Sequence, residues 1–219
     1  MKQVIPTVFS HDKQEFDKRF RKMTSLSKLV QIDLMDGKFV SSKSISLSSI
    51  PDLRKYKNSF EAHLMVKNPE KWIKAVSEKG FRKMIFHIEA VRSSRKAEEI
   101  ISRIKEYEMI PYIAINSDTP LNRIIPLIKS NKIENLLVMG GHAGKEHQKL
   151  NAKTPQRIKK LKRLNSKLFI QIDMGVNNET ASLLKEADAL NSGSFVAGSK
   201  NPKKALALLK KTFMDNSGD

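Results

Sequence analysis

The chain of 219 residues contains no cysteine, which excludes disulfide bonds and metal sites built from thiolates. It also lacks any apolar run approaching the roughly 18 residues that a membrane-spanning helix needs. The first residues, Met-Lys-Gln-Val-Ile-Pro, lead into a predicted strand and lack the pattern of a secretory signal peptide. A chain without cysteine fits a reducing compartment, so we expect a cytoplasmic protein that does not enter the membrane.

Aromatic residues are also scarce, with one Trp and three Tyr, whereas basic residues are abundant. There are 41 Lys and Arg against 23 Asp and Glu, a formal net charge of +18. The basic residues are dispersed over the polar faces of predicted helices, and no aromatic side chains alternate with them. We therefore interpret them as a solvated surface rather than a nucleic-acid site. Such a positive field would also attract anionic phosphorylated metabolites.

Short apolar runs rich in strand-forming residues alternate with stretches of helical periodicity along the chain. No Gly/Ser-rich or Pro-rich stretch divides it, so we expect one domain over residues 1–219. The predicted strands are 4–9, 29–34, 60–66, 83–89, 110–115, 135–139, 168–173 and 194–197. Eight strands alternating with helices predict an α/β protein with a (β/α)8 barrel. A doubly wound open sheet is the alternative, but no glycine-rich turn follows the first strand.

Ligand-type side chains stand where several apolar strands end. Asp33 ends the second predicted strand, Asp173 ends the seventh, and His63 lies in the third. The carboxyl ends of barrel strands form the rim at which barrels do their chemistry. Two carboxylates that face each other across this rim suit removal and return of a proton on opposite faces of a carbon.

Six segments, in order, resemble the ribulose-phosphate 3-epimerase family from end to end. They are I-P-T-V-F-S at 5–10, Q-I-D-L-M-D-G-K-F-V at 31–40, A-H-L-M-V at 62–66, F-H-I-E-A at 86–90, I-D-M-G-V at 172–176 and V-A-G-S at 196–199. The resemblance implies a TIM barrel of the ribulose-phosphate-binding type. It also implies interconversion of D-ribulose 5-phosphate and D-xylulose 5-phosphate through an enediolate stabilised by a metal ion.

The resemblance implies a role for each matching residue. Asp33 would be the base and a metal ligand, Asp173 the acid–base partner on the opposite face and a ligand, and His63 a ligand. Gln31 stands where the family has a histidine ligand, and its carbonyl oxygen would be a weak ligand. One divalent ion is expected, and these residue types suit Zn, Fe, Mn or Co equally.

The remaining expected site residues fall into two groups. Contacts to the phosphorylated ketose substrate would come from Thr7, His63, Gly144, Gly175, Gly198 and Ser199. Supporting positions would be Met35, Met65, Met139, His87 and Glu89. The oligomeric state stays open, with a homo-oligomer among the expectations.

Three departures from the family pattern keep two alternatives open. Besides Gln31, the phosphate loop carries Glu146 and His147 where the family has glycines, and Met174 replaces a glycine beside Asp173. Lys145 and His147 could supply positive charge, whereas Glu146 would repel a phosphate if it pointed inward. The alternatives are an epimerase of another phosphorylated ketose, such as a hexulose 6-phosphate, and a degenerate barrel that binds a phosphometabolite without turnover.

Overall fold

A computed structural model describes residues 2–144 and 148–215 and places eight parallel strands in one closed barrel. Each strand pairs with its neighbour in chain order, and the first pairs with the last, so the predicted (β/α)8 barrel is confirmed. The strands are β1 Gln3–Val8, β2 Leu29–Met35, β3 Ser59–Met65, β4 Lys83–His87, β5 Ile110–Ile115, β6 Asn135–Met139, β7 Phe169–Asp173 and β8 Ala189–Ser192.

Helices follow the strands and cover the outside of the barrel. They are α1 Lys13–Leu26, α2 Ile73–Lys79, α3 Ser94–Glu106, α4 Ile125–Lys129, α5 Thr154–Leu164, α6 Ser194–Ala197 and α7 Pro202–Met214. Short 3₁₀ segments lie at Leu47–Ser49, Leu53–Lys55, Pro69–Lys71, Ile88–Ala90, Leu121–Arg123 and Ala181–Leu184. In α1, the Asp12 carboxylate caps the first turn by accepting from the Glu15 N–H, and Phe16, Phe20 and Met23 form the buried face. Within the described residues, no helix is long and apolar enough to cross a membrane.

The two faces of the barrel strands differ in character because side chains alternate in direction along a strand. Outward-facing residues such as Ile32, Leu64 and Ile172 join the helices in one large hydrophobic core. The inward-facing side of β4, β5 and β6 is mostly apolar, with Ile85, Tyr112, Ala114, Leu137 and Met139 in one cluster. The opposite half of the interior is polar and contains Gln31, Glu61, Gln171 and Asn191, all fully buried.

The last strand was predicted in the wrong place. Residues 194–197 form the short helix α6, and the strand lies earlier, at Ala189–Ser192. The physical reason is that β8 turns Asn191 toward the polar half of the barrel interior. The segment therefore lacks the apolar run typical of a buried strand, whereas Phe195 and Val196 imitate one.

Strand register brings the ligand-type residues of distant segments to one end of the barrel. Asp33 pairs with His63 between β2 and β3, and Asp173 pairs with Asn191 between β7 and β8. Because β1 joins β8 to β2, Asp33 and Asp173 approach each other across only two intervening strands. The ligand-type residues therefore gather at the carboxyl-terminal rim between β7 and β3, where barrels of this type have their active sites.

Candidate active site

A cavity of about 1090 Å³ opens at the carboxyl-terminal rim of the barrel. Its wall includes Asp33, His63 and Asp173, together with four of the other residues expected to contact substrate: Thr7, Gly144, Gly175 and Gly198. Concave sites with a few convergent polar groups on a largely apolar wall are the usual form of small-molecule sites.

Asp33, His63 and Asp173 form a compact cluster. Their candidate ligand atoms all lie within 4.8 Å of one another. Nδ1 of His63 is 3.0 Å from Oδ1 of Asp33 and 3.6 Å from Oδ2 of Asp173. One imidazole nitrogen and two carboxylate oxygens at this spacing fit a single divalent ion of the Zn, Fe, Mn or Co group.

Burial sets the protonation of this cluster in the ion-free protein. It raises the pKa of Asp173 to about 7, and the nearby charge of Asp33 acts in the same direction. Burial alone would lower the pKa of His63, but the hydrogen bond with Asp33 and the charges of both aspartates raise it above its usual value. The cluster therefore holds protons near neutral pH, and a bound cation would displace them.

A chain of hydrogen bonds runs from the cluster to the far side of His63, and we call Glu89, His87 and His63 the histidine chain. Nε2 of His63 lies 3.0 Å from Nε2 of His87, and Nδ1 of His87 lies 3.1 Å from Oε2 of Glu89. The carboxylate can only accept, so His87 donates through Nδ1 and offers the Nε2 lone pair to His63. His63 then donates through Nε2, so its Nδ1 is the nitrogen that faces the two aspartates. In the ion-free protein this nitrogen shares a proton with Asp33, and it would offer a lone pair once a cation displaced that proton.

The protonation states along the histidine chain agree with this direction. Burial lowers the pKa of His87, so this ring stays neutral although the hydrogen bond with Glu89 opposes the effect. Burial would raise the pKa of Glu89, but hydrogen bonds from His87, Thr119 and the Asn116 N–H hold it at about 2. Glu89 is thus a permanent acceptor at the outer end of the chain.

Gln31 presents its amide nitrogen, not its oxygen, to the aspartates. Nε2 donates to Oδ1 of Asp33 at 2.9 Å and to Oδ2 of Asp173 at 2.6 Å. Its carbonyl oxygen accepts from Nδ2 of Asn191 at 2.5 Å. A role for this oxygen as a weak metal ligand stays a prediction, and in this arrangement the amide instead bridges the two carboxylates.

Apolar side chains line the wall beside the aspartates. Met35 and Met65 pack with Phe9, and Met139 lies beneath Ala143 and Met174 on the other side of the cavity. All three methionines reach the cavity wall while remaining almost fully buried. An apolar wall keeps water away from the reacting carbon and strengthens the electrostatic interactions inside the site.

The end of the cavity beside β7 and β8 offers backbone N–H groups. Gly175 lies two residues after Asp173, and Gly193 and Ser194 follow β8 at the start of α6. The sequence match assigned the phosphate contact to Gly198 and Ser199, and this stays a prediction; a second Gly-Ser pair, 193–194, directly follows the strand. Gly198 ends α6 and lines the cavity, while the Ser199 hydroxyl accepts from the Asn201 N–H.

The loop after β6 reaches the same cavity. Gly144 lies on the wall with φ at +80°, and its carbonyl accepts from the hydroxyl of Ser42. A side chain at residue 144 would be strained at this angle, and its Cβ would come within 2.7 Å of Val40. Residues Lys145, Glu146 and His147 lie outside the described residues.

Sequence reasoning missed the polar residues beneath the aspartates, chiefly Asn191 and Glu61. Asn191 donates to Gln31, and Glu61 accepts from Asn191 at 3.0 Å. Their sequence signal is weak but real: each is a polar side chain at an inward position of an otherwise buried strand.

The family of the chain follows from comparison with known proteins. Residues 3–200 match the model of the ribulose-phosphate 3 epimerase family. The chain is 31% identical to the ribulose-phosphate 3-epimerase of Methanocaldococcus jannaschii over 84% of this chain and 79% of that protein. It is 28% identical to the cytoplasmic isoform from Oryza sativa subsp. japonica, over 95% of this chain and 93% of the relative.

Solved structures with much lower identity share the fold. The 3-hexulose-6-phosphate synthase of Salmonella typhimurium superposes with a TM-score of 0.74 at 12% identity, over 97% of this chain and 98% of that one. Orotidine 5'-phosphate decarboxylase from Pyrococcus horikoshii OT3 gives 0.65 at 13% identity, over 97% of this chain and all of that chain. With a family match over residues 3–200 and relatives matched over most of their own length, this chain belongs to the ribulose-phosphate 3-epimerase family.

Proposed function

We propose that this protein interconverts D-ribulose 5-phosphate and D-xylulose 5-phosphate by moving the proton at C3 from one face to the other. The observation that carries this proposal is the position of Asp33 and Asp173. The two carboxylates lie at one rim, on the wall of one cavity, and both accept from the same amide nitrogen of Gln31. A ketose bound between them would have one carboxylate on each side of C3.

In one direction, Asp33 takes the C3 proton and the electron pair of the C–H bond moves into the enediolate. Asp173 then returns a proton to C3 from the opposite face. The reverse reaction exchanges the two roles.

Asp33, His63 and Asp173 would hold one divalent cation, and their spacing fits this role. When bound, the cation would supply Lewis acidity that lowers the energy of the negative charge developing on the substrate. The residue types do not select among Zn, Fe, Mn and Co. The histidine chain keeps Nδ1 of His63 directed at this position.

The phosphate group would lie at the end of the cavity beside Gly175, Gly193 and Ser194. Backbone N–H groups in glycine-containing turns suit anions because no side chain blocks their approach. Lys149 adds a positive charge to the same cavity, and the net charge of +18 favours capture of an anionic substrate. A cytoplasmic location belongs to this proposal and follows the name of the rice relative.

The test is loss of the C3 proton of ribulose 5-phosphate in deuterated water, followed by proton NMR. The purified protein is assayed with Mn²⁺, Fe²⁺ or Zn²⁺ and after chelation, and a hexulose 6-phosphate is assayed in parallel. We expect exchange at C3 of the pentulose with at least one ion, and less after chelation. Exchange only in the hexulose would move the substrate class, and exchange in neither would support a barrel that binds without turnover.

A further inference from the structure

The polar half of the barrel interior determines which end of the Gln31 amide faces the aspartates. Glu61 is fully buried at an inward position of β3, at the far end of the hydrogen bonds that lead to Gln31. Within the described residues, the hydrogen-bond donors around its carboxylate are all nitrogens: Lys83 Nζ at 3.3 Å, Gln171 Nε2 at 3.2 Å from both oxygens, and Asn191 Nδ2 at 3.0 Å. A carboxylate paired with a lysine and surrounded by N–H groups acts only as an acceptor.

Glu61 therefore fixes the orientation of Asn191. The amide nitrogen of Asn191 must face the carboxylate, because reversing the amide would press its oxygen against a buried negative charge. The Asn191 oxygen has no hydrogen-bond partner within residues 2–144 and 148–215. Its amide nitrogen, by contrast, donates to both Glu61 and Gln31. The contacts of the nitrogen therefore determine the orientation of this side chain.

Asn191 in turn fixes Gln31. One N–H of Asn191 is used by Glu61, and the other points at the carbonyl oxygen of Gln31, 2.5 Å away. If the Gln31 amide reversed, two buried NH₂ groups would face each other. Gln31 is thus held with its oxygen toward Asn191 and its nitrogen toward Asp33 and Asp173.

We propose that Glu61 and Asn191 are positioning residues that hold Gln31 as a hydrogen-bond donor to both aspartates and prevent it from acting as a cation ligand. We call Glu61, Asn191 and Gln31 the amide chain. The site then binds its cation through Asp33, His63 and Asp173, and the amide of Gln31 keeps the two carboxylates at a fixed separation. The cation part of this inference rests on the proposed function, but the orientation of the amide does not.

The first experiment examines the ion-free protein by NMR of side-chain amides. The Gln31 NH₂ signals are assigned by their absence in Gln31→Leu. In the wild type, both protons should give separate signals that exchange slowly with solvent, because both are hydrogen-bonded to carboxylates. In Asn191→Leu, which keeps the volume but removes the donor, this protected pair should be lost.

A second variant covers the case in which Asn191→Leu does not fold. Glu61→Gln keeps the shape of the side chain but provides an NH₂ group, so Asn191 can reverse and the protected Gln31 pair should again be lost. Asn135→Leu, at the start of β6 and outside the amide chain, is the control and should leave the pair unchanged. A protected pair that survives both Asn191→Leu and Glu61→Gln would overturn the proposal.

The second experiment measures Zn²⁺ or Co²⁺ affinity in a double-mutant cycle of Gln31→His and Asn191→Leu. A histidine at 31 must direct a lone pair at the cation, so its other nitrogen carries a proton that points toward the Asn191 donor. We therefore expect Gln31→His to increase affinity at least about tenfold more in the Asn191→Leu background than in the wild type. Equal gains in both backgrounds would contradict the proposal. Absence of metal binding in all four proteins would count against the proposed function, and the NMR result would still decide the orientation.

Discussion

The two hydrogen-bond chains start from the buried Glu61 and the half-buried Glu89 and reach the same pair of aspartates, yet they present opposite hydrogen-bonding groups to them. In the histidine chain, each ring donates outward through one nitrogen, so the other nitrogen of His63 faces the site and can become a lone pair when a cation displaces its proton. In the amide chain, Asn191 donates on both sides from one nitrogen, so Gln31 ends with a donor facing the site. An imidazole preserves the direction of a hydrogen-bond chain, whereas an NH₂ group that donates twice reverses it.

On the proposed function, this difference explains how one site contains both a cation ligand, His63, and a neighbouring side chain, Gln31, that does not bind the cation. Gln31 and His63 both lie within hydrogen-bonding distance of Asp33, so position alone does not separate their roles. Their roles differ because His63 is hydrogen-bonded to His87, whereas Gln31 is hydrogen-bonded to Asn191. On the proposed function, residues that do not themselves bind the cation therefore decide the number of its ligands.

Removing the carboxylate at which both chains meet should have the largest effect. Asp173→Asn keeps the shape but removes a proton carrier and an anionic ligand, so epimerisation should fall by about 10²- to 10⁴-fold or more. The measurement is the C3 exchange rate at saturating metal. Asp118→Asn, at an exposed residue in the loop after β5, is the matched control and should leave the rate unchanged. Near-normal turnover in Asp173→Asn would show that Asp173 is not the acid.

Breaking the outer end of the histidine chain should weaken metal binding, whereas breaking the amide chain should strengthen it. In Glu89→Gln, the remaining oxygen is kept by the Asn116 N–H and Thr119, so the new NH₂ group faces Nδ1 of His87. His87 must then accept at Nδ1 and donate at Nε2, so Nε2 of His63 must accept and its Nδ1 must keep the N–H that faces the aspartates. Metal affinity should fall about 10- to 100-fold.

The measurement for Glu89→Gln is metal titration together with ¹⁵N shifts of the His63 ring, which report its tautomer. Glu99→Gln on the exposed face of α3 serves as the control and should change neither. In the same assay, Asn191→Leu should bind metal more tightly than the wild type. If metal affinity changed in the same direction in Glu89→Gln and Asn191→Leu, the direction of the hydrogen bonds in the two chains would not govern metal ligation.

The pH dependence of stability should separate Asp173 from Glu89 in the ion-free protein. The pKa of Asp173 is raised to about 7, so the folded state holds a proton that the unfolded state releases, and this stability is lost as pH rises from about 4 to 7. The raised pKa of His63 acts in the same sense. The pKa of Glu89 is lowered to about 2, so its stability is present above about pH 4.5 and lost as pH falls.

Urea unfolding from pH 3 to pH 8 under chelation measures both effects. Asp173→Asn should gain stability relative to the wild type as pH rises, by at most about 1.4 kcal/mol per pH unit. Glu89→Gln should lose stability relative to the wild type as pH rises from about 3 to 4.5. Parallel curves for all three proteins would show that these carboxyl groups titrate alike in the folded and unfolded states.

The sequence was sufficient to predict the barrel because most of its strands are short apolar runs that are visible in the sequence. The bounds of β5 and β6 agree with the prediction at both ends, and these strands face the apolar half of the interior. The strand β8 was misplaced because its inward residue faces the polar half. The strands β2, β3 and β7 also face the polar half, but their outward residues are mostly apolar, whereas Leu190 is the single large apolar residue of β8.

The rim cluster could be predicted because Asp33, His63 and Asp173 lie at the carboxyl ends of recognisable strands. The amide chain could not, because its contacts join residues far apart in sequence, 130 positions in the case of Glu61 and Asn191. Its function also depends on which atom donates, and this is decided only when Glu61, Asn191 and Gln31 are placed side by side. From the residue types alone, we expected the carbonyl oxygen of Gln31 to face the metal site, whereas its amide nitrogen faces the aspartates.

Met174 belongs to neither chain, so changing it should give the smallest effect and sharpen the contrast with them. Its φ is +78°, in the left-handed region where a residue with a side chain is less stable than glycine by about 1–2 kcal/mol. Met174→Gly removes this strain, while the greater freedom of glycine in the unfolded chain offsets about 0.5–1 kcal/mol. We expect a net gain of about 0.5–1 kcal/mol in the free energy of unfolding.

Met174→Ala is the matched control, because it keeps the strained backbone but loses the thioether that lies 2.9 Å from the Gln148 amide nitrogen. It should be slightly less stable than the wild type, whereas the glycine variant should be more stable. Both should bind metal as the wild type does, within about twofold, since neither alters a hydrogen bond of His63 or Gln31. Urea unfolding and metal titration of the three proteins give these values. Equal losses of stability in both variants would show that packing of the Met174 side chain outweighs the backbone strain.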